Sequence, residues 1–524
     1  MSRDGLYGWF VESARKHPDL PALAIGGEEI SYARLDGAAA HVSGLIVRLL
    51  GGRVPARVGL LASRDVATYA GYLAILRMGA AVVPIGSDLP RERFRAIARA
   101  ASLEAVVVDR GAGEGAAFLE DAGVPVVEVD GDEVRSVCAR AVESAEVGAG
   151  ARPGGPRDLA YCLFTSGSTG RPKGVPIANA RLDEFLEHNI ARYGAGPGAR
   201  FSQTFDLTFD PSVFDLFVAW GSGAAVVVPD RDDLYDPVSF VNRTRVTHWY
   251  SVPSVISICQ ELGTLRRGAM NGLRWSLFAG EQLTLEQAHV WSAAAPGSRV
   301  ENLYGPTELT VTVTAYRLPR ERSAWPETAN GTVPIGTPYP HMETAVMDER
   351  GQRADDGELC VRGPQRFDGY IDPRDNAGRF WHADGDRAGA EEDDRRPPSD
   401  SWYRTGDRVS YEGAELVHRG RLDHQVKVRG RRLELQEAEA VLRRHPAVRE
   451  AVVVPVADDP IDVHLAAVYT GEGAPPQELL EQMSVYLPDY MLPRRLVRVD
   501  RLPLNGNGKV DRGACARAVS RTRG

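Results

Sequence analysis

Between Leu23 and Pro229, short apolar runs such as VGLLA, AAVVPI, EAVVVD and AAVVVP alternate with Ala-, Arg- and Glu-rich stretches of helical spacing. Unbroken apolar runs of that length predict strands buried on both faces, and the helices between them predict crossovers joining parallel strands. The expected class is therefore α/β, built in layers. From Gly420 the texture changes: HQVKVRGRRLEL reads as strand, turn and strand, Gln436 to Arg444 as a helix, and VREAVVVPV and HLAAVYTG as two further strands. A smaller α+β domain is thus expected from Asp423, dividing the chain into 1–422 and 423–524. The segment Asp384 to Asp400, DGDRAGAEEDDRRPPSD, has charge and proline but no apolar period, which predicts a mobile surface insertion without a catalytic role. Beyond Asp511 only a short tail, RGACARAVSRTRG, remains, with no room for a further domain.

A chain of 524 residues is too long for one core, and domains of roughly 100 to 200 residues suggest about three packed units. The net charge of -9 argues against nucleic acid or an anionic membrane as the main partner. No run approaches the roughly 20 apolar residues of a membrane span, and the N-terminus lacks the apolar core of a signal peptide, so a cytoplasmic location is expected. Five scattered cysteines form no CxxC pair and read as reduced, structural residues.

The candidate chemistry begins at Leu159 to Gly174, LAYCLFTSGSTGRPKG, where a strand-like run breaks into a loop of glycine and hydroxyl residues. Glycines such as Gly167 let backbone approach an anion, while Thr165, Ser166, Ser168 and Thr169 offer hydroxyl donors and Lys173 a compact positive charge. A plain surface turn is the commoner fate of Gly/Ser loops, but few combine four hydroxyls, PKG and a buried strand. The loop reads as a polyphosphate grip. It differs from the common P-loop, because Lys173 follows Pro172 rather than preceding a serine or threonine. Further on, NLYGPTE (Asn302 to Glu308) places an aromatic ring, a tight turn, a hydroxyl and a carboxylate within one short stretch. If a nucleoside triphosphate sits here, Tyr304 is suited to stack on its base, Thr307 to donate to the α-phosphate, and Glu308 to bind Mg²⁺, a hard cation that prefers oxygen ligands.

These two segments resemble the motifs of the adenylate-forming superfamily, in the form found in adenylation domains of nonribosomal peptide synthetases. The resemblance extends in order through ISYARL, LRMGAAVVPI, FDPSVFDLF, AGEQL, GELCVRG, YRTGD, GRLDHQVKVRGRRLELQEAE, LPDYMLP and NGKVDR, nearly the whole chain. It implies a large N-terminal domain of layered α/β subdomains and a mobile C-terminal lid, with ATP and Mg²⁺ as the groups bound. It also places Gly280, Glu281, Asn302 and Arg421 on the nucleotide side, Asp407 on the ribose hydroxyls and Asp423 at the hinge. Lys509 is implied as the catalytic lysine that neutralises the meeting of carboxylate and α-phosphate, alongside Thr165 and Glu308. Taken alone, Asp407 would be an exposed turn residue, Arg421 a surface ion pair and Lys509 a solvated lysine. Two departures from the pattern, Ser168 and Gln436, remove no reacting group.

The same resemblance makes Asp210 the partner of a substrate ammonium, although a helix cap is the usual role of such an aspartate. Carried over residue by residue, Pro211, Phe214, Tyr250, Leu277, Ala279, Leu303, Val311 and Thr312 complete the pocket. Since Asp210 and Lys509 are the only charges, a charged substrate side chain would be buried alone. The expected substrate is a small, neutral amino acid, with proline, alanine and serine-like acids as candidates. The expected product is an aminoacyl thioester on the phosphopantetheine of a separate carrier protein, and a small helper protein is an open partner. An acid-CoA ligase and a catalytically idle ligand-binding relative are the alternatives.

Overall fold

A computed structural model describes residues 4–111, 119, 123–139, 148, 150–167, 171–384, 387–390, 397–423, 425–428, 431–457, 463–504 and 510–521. It divides into two compact units, one of Met1–Ser87, Ala101–Leu163 and Gly174–Gly420, the other of Asp88–Ala100, Phe164–Lys173 and Arg421–Gly524.

The apolar runs do form buried parallel strands. In a nine-stranded sheet, Arg299–Tyr304, Trp275–Phe278, His248–Ser251, Arg200–Ser202, Ala225–Val227 and Pro21–Ile25 lie side by side and parallel, with antiparallel strands at both edges. A six-stranded sheet carries Arg57–Ala62, Ala81–Gly86 and Ala105–Asp109, in parallel register, together with Leu159–Thr165. A third sheet is antiparallel and runs from Glu343–Met347 through Asp356–Arg362 and Trp402–Glu412 to Phe380–Asp384. All five cysteines are buried and free, in keeping with a structural role. No helix among the described residues is long and apolar enough to cross a membrane.

In the second unit Val448–Ala457 and Val463–Gly471 pair antiparallel, and Arg495–Arg498 joins in parallel. Both faces of this sheet are covered. Val453, Leu465 and Ala467 pack with Ala438 and Leu442 of the helix Leu435–Leu442, whereas Val452, Val454 and Val468 pack with Cys515 and Val519. The supposed tail is therefore a helix, Arg512–Arg521, whose Cys515 and Val519 lie four residues apart on one face and seal the sheet. Likewise, Arg387–Ala390 of the supposed insertion is a strand paired antiparallel with Phe380–Asp384, because strand pairing needs backbone groups rather than an apolar period.

One strand residue carries a pH signature. His248 is buried, stacks on Phe201 at 4.1 Å, and lies 3.3 Å from the Tyr193 carbonyl. Burial lowers its pKa from 6.5 to about 4, so the folded ring stays neutral where the unfolded one takes up a proton. Stability should thus be intact above pH 6.5 and fall by about 2 kcal/mol between pH 6.5 and 5. Urea unfolding across that range checks the slope, which His248→Phe should remove.

Candidate functional site

The residues expected to line a pocket for the acid lie toward the carboxyl ends of adjacent parallel strands, where open α/β sheets leave a crevice. Tyr250 and Leu277 are register partners on neighbouring strands, Ala279 follows the second, and Leu303 ends the next strand but one residue. Tyr250 packs on Phe214 at 4.9 Å and Phe205 at 4.8 Å, and Phe214, Leu277, Ala279, Leu303, Val311 and Thr312 are all buried. Pro211 opens the helix Pro211–Trp220 and is half-buried. Asp210 stands at that helix's N-terminus and is buried, yet its side chain makes no capping bond. The capping alternative is therefore excluded. Burial, then the carboxylates of Asp210 and Asp215, push the Tyr250 phenol well above its usual range and keep it neutral. The Thr312 hydroxyl meets the Tyr339 hydroxyl at 2.8 Å.

Beside this pocket, the turn after Tyr304 carries the candidate nucleotide groups. Glu308 is fully buried on a 3-10 turn, Thr307–Leu309, and accepts a hydrogen bond from the Tyr370 hydroxyl at 2.6 Å; that hydroxyl in turn lies 3.2 Å from Tyr403. The Phe367 amide donates to the Glu308 carbonyl at 2.9 Å. Gly305 is obligatory, since a Cβ there would sit 2.6 Å from both the Thr312 Cα and the Val311 carbonyl oxygen.

Asp407 is buried at the base of this region, with each oxygen engaged. Tyr304 donates to Oδ2 at 2.6 Å, and His418 Nε2 lies 3.1 Å from Oδ1. The Gln282 amide donates to the His418 carbonyl and reaches Nδ1, both at 3.0 Å, so Nδ1 accepts and Nε2 carries the proton toward Asp407. Two residues expected on the nucleotide side turn their polar ends on the protein. Asn302 donates to the carbonyls of Val333 and Pro334, and Glu281 accepts from the Ser254 amide that starts the helix Ser254–Glu261. Gly280 sits between strand and turn at φ 87°.

In the second unit, Thr165 ends its strand half-buried, while Ser166, Gly167 and Lys173 are buried. Ser166 accepts from the Glu434 amide at 2.8 Å and donates to the Arg432 carbonyl at 3.1 Å. The Gly167 amide points at the Glu437 carboxylate, 3.2 Å away, and Glu437 also forms a buried ion pair with Arg93. A Cβ on Gly167 would lie 2.0 Å from the Arg171 carbonyl oxygen, so no other residue fits at that position. Arg421 clasps Asp423 through two bonds of 2.7 and 2.8 Å. Burial pushes the Asp423 carboxyl up, but Arg421 and the Gln425 amide more than offset this and hold it below the usual range. Ser168, Thr169 and Lys509 lie outside the described residues.

Several supporting groups were given no role from the sequence: Tyr370 and Tyr403 behind Glu308, His418 and Gln282 behind Asp407, and Gln365 and Tyr339 behind the pocket residues; Tyr403 and Gln282 lie inside YRTGD and AGEQL, the other four outside every quoted motif. The signal available was a polar residue within a segment otherwise destined for burial, as Gln365 is in CVRGPQRF.

Comparison with known proteins shows the family. Over 98% of its length the chain is 32% identical to phenyloxazoline synthase MbtB of Mycobacterium tuberculosis, of which it spans 34%, about a third. It is 35% identical to an L-proline, L-prolyl-carrier-protein ligase of Streptomyces coelicolor, covering 95% of this chain and 94% of that one. The crystal structure of IdnL7 superposes with a TM-score of 0.71 at 36% identity, covering the whole of both chains. Residues 10–371 match the AMP-binding enzyme model and residues 437–509 match the AMP-binding enzyme C-terminal domain. With both parts present in that order over this fold, the chain belongs to the AMP-binding enzyme family.

Proposed function

We propose that this protein activates a small neutral amino acid as its aminoacyl adenylate and passes the acyl group to the phosphopantetheine thiol of a carrier protein. The observation that carries the reading is Asp210: a buried carboxylate at the N-terminus of the helix Pro211–Trp220 whose charge acts on the Tyr250 phenol. Such a group suits an ammonium ion, which would be held by a charge-assisted bond in a desolvated pocket.

In the first step a carboxylate oxygen of the amino acid attacks the α-phosphorus of ATP, and the bond to the departing pyrophosphate breaks. Asp210 orients the acid, Asp407 accepts from the ribose hydroxyls, the Thr165 loop and Lys173 receive phosphate oxygens, and Lys509 neutralises the two approaching anions. The buried carboxylate of Glu308 fits Mg²⁺, whose charge would offset that of the phosphates. In the second step the carrier thiol loses its proton and its sulfur attacks the carbonyl carbon, expelling AMP. The Arg421–Asp423 clasp at the start of the lid supports a hinge there. Both departures thus leave a thioester.

Proline is the first candidate, because the Streptomyces coelicolor relative acts on L-proline and its match covers nearly both chains; alanine and serine follow. Exchange of labelled pyrophosphate into ATP, measured with each proteinogenic amino acid, tests the reading. One strong signal among the small neutral acids is expected. Silence with every amino acid, or activation of an acid without an amine and transfer to free CoA, would overturn it.

A further inference from the structure

We infer that Gln365 is a positioning residue for the acid pocket: one buried amide holds the Leu309–Thr312 segment in a backbone conformation that its own residues disfavour. This rests on the reading that Val311 and Thr312 line that pocket.

Thr310 and Val311 have φ values of 59° and 73°, in the left-handed region. Both are β-branched, the side-chain type least suited to that region. Turned this way, the segment presents its carbonyls inward, to Gln365, which is fully buried. Gln365 Nε2 lies 3.1 Å from the Leu309 oxygen, 3.1 Å from that of Thr310 and 2.9 Å from that of Thr312. With two hydrogens for three acceptors, one bond is shared. The Thr310 hydroxyl closes the loop by donating to the Gln365 carbonyl at 2.6 Å. The amide's orientation follows from its neighbours: three carbonyls demand the NH₂ end, and on the other side His341 Nε2 lies 2.5 Å from Oε1 and supplies a proton. Opposite, the segment packs backbone to backbone on Gly305, where no side chain is present to brace it. Gln365 is therefore the brace.

The neighbouring Glu308 is anchored separately, by Tyr370 and the Phe367 amide. Removing the amide should then loosen the acid side of the turn and spare the nucleotide side. A residue that merely stabilised the fold would not produce that split.

The test is Gln365→Met, nearly isosteric but unable to donate, in pyrophosphate exchange with L-proline, L-alanine and L-serine as probes. The amino-acid KM is expected to rise at least roughly tenfold, with the ATP KM within about twofold and discrimination among the three acids reduced. Adding Thr310→Gly, which adopts the positive φ without strain, should restore at least about half of the lost affinity. An unchanged amino-acid KM, or a uniform loss in both KM values that tracks a lower melting temperature, would overturn the inference. Should Gln365→Met not fold, His341→Phe leaves the amide and removes its orienting proton; an amino-acid KM raised about threefold is expected, and no change refutes the role. Wild-type protein inactive with every amino acid would instead refute the functional reading, and the inference would fall with it.

Discussion

Replacing Asp210 by alanine is expected to lower kcat/KM for the amino acid by roughly 10²- to 10⁴-fold while leaving the ATP KM nearly unchanged. The magnitude follows from desolvation. The carboxylate is buried and its charge acts on the Tyr250 phenol, and the described residues assigned to the pocket carry no other charge. An ammonium entering there gives up its water, and without Asp210 nothing replaces it, a penalty of about 3 to 5 kcal/mol for a buried charge whose partner is removed. Asp210→Asn keeps the shape and part of the hydrogen bonding, so a smaller loss of about 10²-fold is expected. A second substrate sharpens the test. Wild-type protein should reject the desamino analogue of its amino acid, whereas Asp210→Ala should scarcely distinguish the two. If Asp210→Ala activates the amino acid within about tenfold of wild type, the ammonium role is wrong.

Asp407→Asn should raise the ATP KM about 100-fold and also reduce stability by about 1 to 3 kcal/mol. Both oxygens of this buried carboxylate face donors, the Tyr304 hydroxyl on one side and His418 Nε2–H on the other. An asparagine accepts at one atom only, so its NH₂ must oppose one of those donors and leave it buried without an acceptor. The ribose, which needs the same acceptors, loses its partner as well. Gln282 bonds to the far side of the His418 ring and prevents it from presenting a bare nitrogen to the new amide. Thermal melts with and without ATP separate the two effects. A variant that melts lower yet binds ATP normally would make Asp407 a structural residue and not a nucleotide contact.

The layered α/β class was legible because unbroken apolar runs can satisfy themselves only inside a sheet covered on both faces. The α+β texture after Gly420 was legible for a related reason: VREAVVVPV and HLAAVYTG alternate over two buried faces, one packed with Leu442 and the other with Val519. The helix that supplies Val519 was not, since Cys515 and Val519 are too few to reveal a period among arginines and alanines. Asp384 to Asp400 misled in the same way, because backbone pairing at Arg387–Ala390 leaves no mark in hydropathy.

By itself, then, the sequence determined the layers, the family and the residue types that could handle a nucleotide and an acid, since those depend on local patterns of burial and chemistry. Only the tertiary structure decided how these groups are held. Asp210 proved to cap no helix, Asn302 and Glu281 proved to brace the backbone, and Asp407 gained its proton donors from Tyr304 and His418, residues 103 and 11 positions away. The left-handed Thr310 and Val311, and the amide of Gln365 that meets their segment from 55 residues away, became visible only with the fold, because a hydrogen bond across that separation has no local signature.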